Sequence, residues 1–317
     1  MTGVADAIPL PPELRDAILT WYDERGRRLP FRGTADPYAI LVSEAMSQQT
    51  QAARAGEAWL RFMARFPTVV ALAAAAPGDV LRQWRGLGYN RRALNLWRAA
   101  RQIIEQHGGR VPADLGALQG LPGVGPYTAR AIAAIAFGQP IGAVDTNVRR
   151  VLGRIVAGEV AALPAPGLQA LADQAVPADR AADWTHAVMD IGATLCRPRR
   201  PDCDACPARV WCHFAVEQVT GDRSTTPRSH GPGLARRTVD RERRAPFATT
   251  SRWLRGQIVD RLRLADDGAW VVVVGPIGEH GQRSVAEALA ALSREGLVEL
   301  DPSHVSGSRR RARLPAS

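Results

Sequence analysis

The stretch Gly120–Val151, GLPGVGPYTARAIAAIAFGQPIGAVDTNVRRV, holds two short motifs about twenty residues apart. The first, LPGVG, runs into an alanine-rich helix. Gly123 and Gly125 let the chain turn tightly and Pro122 stiffens the approach. The backbone N–H groups that open the following helix then point outward. They make a seat for a phosphate oxygen, a contact that carries no base information. The second motif is VDTNVRRV, in which Asp145 opens a helix close in sequence to that seat. A carboxylate there is either a helix cap or a placed reactive group.

Composition narrows the partner. The chain has 317 residues, enough for two compact domains, with a formal charge of +10 and a pI near 10.7. A basic surface favours an anionic partner, and nucleic acid is the commonest for a chain of this kind. All 41 basic residues are Arg and none is Lys. An enzyme that forms a Schiff base needs an amine, and only the N-terminal one is available here. There is no run of ~18 apolar residues and no charged-then-apolar leader. The expectation is a cytoplasmic protein with no membrane span.

Along the chain, residues 1–12 are Pro-rich and expected to fray, and helical spacing begins near Glu13, with Leu14, Ile18, Leu19 and Tyr22 on one face and Gly26 as a stop. Leu29, Pro30, Phe31 and Arg32 form a loop. A helix begins near Pro37 with Ile40, Leu41 and Ala45 on its core face, and Glu44 beside that face. SEAMSQQTQ is polar with few charges, a hydrogen-bonding surface more than a solubilising one. LPFR followed by PYAILVSEAMSQQTQ resembles the MutY-type adenine DNA glycosylases, whose usual forms are LPWR and SEVMLQQTQ. The hairpin and the placed carboxylate likewise resemble the wider helix–hairpin–helix glycosylase superfamily, which includes endonuclease III. The resemblance covers about residues 13–215.

The fold implied is mainly α, a two-lobed helical helix–hairpin–helix glycosylase fold with a [4Fe–4S] loop. The function implied is removal of adenine mispaired with 8-oxoguanine or guanine in double-stranded DNA, by a monomeric enzyme with little or no lyase activity. Glu44 is then the acid that protonates the flipped adenine, and Asp145 the carboxylate that stabilises the sugar cation. Tyr127 and Asn147 hydrogen-bond around them. Tyr127 occupies the position where bifunctional relatives carry a Lys. Phe31, in place of the family Trp, and Arg32 line the adenine pocket. Gln48, Gln49, Thr50, Leu87 and Tyr89 reach the opposite purine. Gly86 and Gly88 bracket Leu87 and lift Tyr89 onto a loop tip, as an aromatic wedge or simply a turn-closing residue. The family pattern there is GLGYY, so Asn90 departs from it. His186 stands where the family has Gln or Glu. Two rival functions share these motifs: a thymine- or uracil-mismatch glycosylase, and a non-catalytic iron–sulfur protein that binds damaged DNA.

Cys196, Cys203, Cys206 and Cys212 are the only cysteines, spaced C-x6-C-x2-C-x5-C. Four thiols this close, without a secretory leader, read as one metal site, and a set of four cysteines alone allows structural zinc or a [4Fe–4S] cluster. The family spacing implies the cluster. Arg197, Arg199 and Arg200 sit between the first two ligands, as phosphate contacts or as a solvated charge run.

Domain boundaries are expected as follows: an N-terminal segment, 1–30; a six-helix lobe, 31–137; a helical cluster lobe, 138–220; a basic linker, 221–246; and a small α/β module, 247–317. After Val151 the chain passes an Ala/Pro-rich link before a helix in ADWTHAVMDIGATLC. The linker has seven Arg against three acids. In the last segment SRWLRGQIVDRLRLA and RSVAEALAALSREG read as helices, and AWVVVVG, LVEL and RRRARL as strands. Two helices, two strands and a basic wing are similar to winged-helix domains at the level of fold; a basic dimerisation or packing module fits the same pattern. The usual adenine enzyme continues into a Nudix-like domain, and the 97 residues after Thr220 are expected to be too few for that domain together with its linker.

Overall fold

The computed structural model describes residues 10–158, 163–220, 246–304 and 310–316. Most of the expected linker, and residues 1–9, lie outside them. In chain order the described helices are α1 (Pro12–Arg25), α2 (Pro37–Ser47), α3 (Ala52–Arg65), α4 (Val69–Ala73), α5 (Pro77–Gln83), α6 (Arg91–His107), α7 (Leu115–Gln119), α8 (Pro126–Phe137), α9 (Thr146–Ala157), α10 (Ala165–Ala175), α11 (Ala181–Thr194) and α12 (His213–Thr220). The C-terminal module follows as α13 (Ser251–Arg263), β1 (Val271–Val273), α14 (Gln282–Arg294), β2 (Glu299–Leu300) and β3 (Arg310–Arg313). The protein is mainly helical with a small mixed module, as the sequence leads one to expect. Two local expectations are corrected. Leu10 is buried in the core, so the N-terminal fraying does not extend to it. Part of the Ala/Pro-rich link is helix α10, because its prolines fall in the first turn, where no N–H is needed, and Leu168, Leu171, Ala172 and Ala175 share one buried face.

Close contacts divide the chain into two compact units, Met1–Glu44 with Val111–Pro227, and Ala45–Arg110 with Arg228–Ser317. In the first unit α11 is the central helix, packed on α1, α8 and α9. Leu14 and Ile18 of α1, Val148 and Leu152 of α9, and Ala187, Val188 and Ile191 of α11 make its core. Alanines on the buried face of α8 leave room for close packing. At the crossing of α9 and α11 a Cβ on Gly192 would stand 2.6 Å from the Cβ of Asn147, so only glycine fits there.

In the second unit Phe62, Phe66, Leu72, Leu81 and Trp84 pack behind α4–α6. The C-terminal module belongs to this unit. Its sheet runs in the order β1–β3–β2, antiparallel throughout, with Val271 opposite Ala312 and Leu300 also opposite Ala312. β3 is the central strand, and β1 lies between α13 and α14 along the chain. Residues 305–309 lie outside the described residues. Within this unit α13 lies against α5, Arg82 pairs with Asp267 at 3.0 Å, and the Gly78 N–H donates to the Pro315 carbonyl at 2.8 Å.

Candidate active site

The helical hairpin forms for local reasons. Asp114 caps α7, its carboxylate accepting from the Ala117 N–H at 2.8 Å. Gly123 turns the chain with φ +83°, a conformation other residues resist. Exposed Gly125 then caps α8, with Pro126 in its first turn. Among the described residues no backbone carbonyl takes the N–H of Gly123 or Gly125. An anion at the start of α8 can therefore reach them.

Asp145 caps α9. Its Oδ1 accepts from the backbone N–H of Asn147 at 2.8 Å and of Val148 at 2.7 Å, while its Oδ2 takes the Asn147 side-chain amide at 3.2 Å. Glu44 and Tyr127 meet beside it: the Tyr127 hydroxyl interacts with the Glu44 carboxyl and donates to the Met189 sulfur at 3.8 Å. Burial pushes the Glu44 pKa up from 4.5 to about 7, and the negative charge of Asp145 adds to the rise; the Tyr127 hydrogen bond and the positive charge of Arg32 oppose it. Some of the Glu44 side chain remains reachable by solvent. The result is a carboxyl group that keeps its proton near neutral pH, facing a second carboxylate held by three N–H donors. Tyr127 is raised too, by burial and then by the two carboxylates, so its hydroxyl keeps its proton.

Arg32 has a partner that the sequence did not announce. Its guanidinium makes a two-pronged pair with Asp190, at 2.6 and 2.7 Å, and Arg27 adds a backbone and a side-chain donor to the same carboxylate. The Asp190 side chain has no exposure and that of Arg32 only 8%. Burial raises the Asp190 pKa, but Arg32 and Arg27 outweigh it and hold the carboxyl below its usual value. His186, on the same helix as Asp190, stands next to Tyr22 with ring centroids 6.2 Å apart. Burial, then the charge of Arg32, lowers its pKa to about 3, so it is a neutral imidazole with one donor and one acceptor. Phe31 lies in the loop before α2 and is partly exposed.

Helix α9 is braced from behind. Arg150, one turn after Asp145, donates to the Asn147 side-chain carbonyl at 2.8 Å, to the Gly192 carbonyl at 2.7 Å and to the Cys196 carbonyl at 2.6 Å. Arg154 reaches the Cys196 sulfur at 3.3 Å and the Arg197 carbonyl at 2.9 Å. A hydrogen-bonded chain thus runs from the cysteine loop through Arg150 and Asn147 to Asp145. All four cysteines are free and line one small cavity beside Arg154 and Phe214. Among the described residues no three His, Cys, Asp or Glu side chains stand gathered as a ready metal-ligand set. The donor chemistry nevertheless fits a cation: burial raises the Cys203, Cys206 and Cys212 thiols, Cys206 to about 12, and each neighbouring thiolate raises them further. Three thiols raised in this way ionise together only around a positive group.

In the second unit, Arg92 ties the polar turn after α2 to the loop before α6. It donates to the carbonyls of Ala45 and Met46 at 3.0 Å, to that of Gln48, to the Thr50 hydroxyl at 3.2 Å and to the Leu87 carbonyl at 3.0 Å. Burial lowers its pKa to about 10, so it stays charged. Exposed Gln49 has φ +54°. Gly86 and Gly88 have φ +86° and +65°, and Tyr89, 42% exposed, follows at +45°. Leu87 is 6% exposed and points into the protein.

Comparison with known proteins adds the family. Residues 42–161 match the family described as HhH-GPD superfamily base excision DNA repair protein. An adenine DNA glycosylase of Mycobacterium tuberculosis (strain CDC 1551 / Oshkosh) is 37% identical over 297 residues, covering 89% of this chain and 92% of that one. The chain belongs to the adenine DNA glycosylase family. Among solved structures, a thermostable thymine-DNA glycosylase aligns with a TM-score of 0.60 at 32% identity, over 64% of this chain and 95% of that one. A non-covalent endonuclease III–DNA complex aligns at 0.56 and 23% identity, over 65% and 95%, which shows the shared endonuclease III-like fold.

For a member of the adenine DNA glycosylase family, the sequence had named Glu44, Asp145, Tyr127 and Asn147 as one site, and in the structure they do interact. Arg27, Asp190, Arg150, Gly192 and Arg92 were missed. Their partners lie far away in the chain or are backbone carbonyls, so no local pattern marks them. Only VDTNVRRVLGR carried a hint, in the spacing that puts Arg150 and Arg154 on one face of α9.

Proposed function

We propose that this chain hydrolyses the N-glycosidic bond of adenine mispaired with 8-oxoguanine or guanine in duplex DNA, with no lyase step. The observation that carries the reading is the pair of carboxyl groups in opposite roles: Glu44 protonated near neutral pH and faced by Asp145 at the start of α9.

The adenine must first leave the stack, since its bond to the sugar is inaccessible within the duplex. The hairpin N–H groups hold a phosphate of that strand. Glu44 delivers its proton to N7 of the extruded base, and the C1′–N9 electron pair leaves with adenine as a neutral molecule. Positive charge develops on the sugar, and Asp145 stabilises it electrostatically. A helix N-terminus favours that negative charge, and three N–H donors fix its direction. Water then adds at C1′ and its proton returns to the Glu44 carboxylate. Tyr127 orients Glu44 by its contact with the carboxyl. Neutral His186, Phe31 and Arg32 border the base, while Gln48, Gln49, Thr50 and Tyr89 serve the opposite purine. No Lys is present to capture the sugar.

Cys196, Cys203, Cys206 and Cys212 would hold a [4Fe–4S] cluster. Such a group, when bound, supplies a fixed four-point staple for its loop. Through Arg150 and Arg154 that loop braces the helix that Asp145 caps.

The test is a single-turnover assay on duplexes with A opposite 8-oxoguanine, A opposite G and T opposite G, with scission read before and after alkali. Adenine release that nicks only after alkali supports the proposal. Release of thymine alone, or binding of every duplex without release, refutes it. The likeness to a thymine-DNA glycosylase makes the T opposite G arm informative.

A further inference from the structure

The loop that carries Tyr89 is covered by the C-terminal module. Arg263, near the end of α13, donates from Nη2 to the Asn90 side-chain carbonyl at 2.8 Å and from Nε to the Leu81 carbonyl at 2.9 Å. Asp260 neutralises the same guanidinium at 2.6 Å. Asn90 is the residue at which the sequence departs from the GLGYY pattern, and the departure supplies the oxygen that Arg263 grips. At the other end of α13, the Arg252 guanidinium lies over the Tyr89 ring, 4.1 Å from its centroid. It stands 5.8 Å from the ring of Phe247, which is 61% exposed. Arg85, Arg91 and Arg252 are all exposed around this loop.

An aromatic ring in left-handed backbone, left open to solvent, is a conformation that needs support. The module provides it. A guanidinium stacked by its face keeps its in-plane N–H edge free, and that edge matches a phosphate. Exposed aromatic rings beside it offer faces for bases. We propose that the C-terminal module is part of the DNA-contacting surface, with Arg252 and Phe247 joining Tyr89 as one aromatic and cationic contact to the duplex. The inference rests on the glycosylase reading above for the identity of the ligand.

The test uses the full-length protein and a duplex carrying 2′-fluoro-2′-deoxyadenosine opposite 8-oxoguanine, which binds without being cleaved. Affinity is measured by fluorescence anisotropy across a range of salt. Arg252→Ala is expected to weaken binding roughly three- to tenfold and to make the log–log salt slope shallower by about one, with Arg252→Lys keeping the slope. Phe247→Ala is expected to weaken binding at an unchanged slope. Wild-type affinity and slope in both alanine variants, with Tyr89→Ala impaired, would show that the module does not touch DNA. An affinity loss in Arg252→Ala at constant slope, unrescued by Lys, would mark a packing role and equally overturn the proposal. Failure of the wild type to release adenine would count against the catalytic reading alone, since these arms read binding only.

Discussion

Replacing Glu44 by Gln tests the proton and the burial together. The Glu44 carboxyl sits at about 7 in the folded protein against 4.5 in the open chain, chiefly because of burial and then Asp145. The folded state therefore binds this proton more tightly than the unfolded one. Below about pH 4.5 both states hold the proton and Glu44 contributes nothing to the pH dependence. Between there and about pH 7 the unfolded chain releases it first, so stability falls as pH rises, and above 7 the loss is complete. The full displacement corresponds to about 3 kcal/mol, and the remaining solvent access to the side chain reduces this to roughly 1–3 kcal/mol. Glu44→Gln keeps the shape and a polar partner for the Tyr127 hydroxyl but has no charge to bury. Its thermal midpoint should exceed that of the wild type at pH 8 and converge with it near pH 4. Its single-turnover adenine release should fall by roughly 10²–10⁴-fold, the usual contribution of a general acid. The wild-type rate should itself decline above about pH 7. Parallel stability curves for the two proteins, with a rate in the variant close to wild type, would refute both the pKa argument and the acid role.

Other substitutions separate charge from architecture. Asp145→Asn should leave the thermal midpoint nearly unchanged, because Asn caps a helix about as well as Asp, while single-turnover release falls at least a hundredfold. Asp190→Ala strands Arg32 as a buried unpaired cation and should destabilise the protein by about 3–5 kcal/mol in chemical denaturation; a loss below 1 kcal/mol would mean the pair is solvated. Arg150→Met should keep whatever visible absorbance the wild type shows yet slow adenine release, since it cuts the link from the Cys196 carbonyl to Asn147; an unaltered rate would show that Asp145 needs no support from that loop. Tyr127→Lys places an amine beside Glu44 and Asp145, and borohydride should then trap a protein–DNA adduct that the wild type does not form.

The clustering of the three polar groups of the site has a simple physical origin. Asp145 is placed by its own helix start, because a carboxylate at that position is satisfied by the N–H groups two and three residues on. Tyr127 follows the hairpin turn, and Glu44 lies on a helix whose apolar residues are buried nearly all round. The helix start and the turn follow from short-range rules, while the choice of these residues comes from the resemblance of their motifs to the glycosylase family. The consequences for Glu44 chemistry did not follow from those rules. A Glu on a helix is ordinarily solvated; its proton is retained here because other elements exclude water from it and because Asp145 faces it.

The same division runs through the rest of the molecule. The sequence by itself determined the helical hairpin, the helix starts, the cysteine spacing, the basic character and the strands and helices of the C-terminal module. These are written in glycine turns, caps and apolar periodicity, which act over a few residues. Tertiary structure alone decided that Arg32 is gripped by Asp190, 158 residues away, that only glycine fits at 192, that Arg150 joins Asn147 to the cysteine loop, and that Arg252 lies on Tyr89. Leu87 was read as a probe of the opposite base yet is buried, because the turn between Gly86 and Gly88 points it inward. Such pairings depend on which surfaces meet when helices pack, and the energy of a buried ion pair or a stacked guanidinium exists only once both partners have been brought out of water.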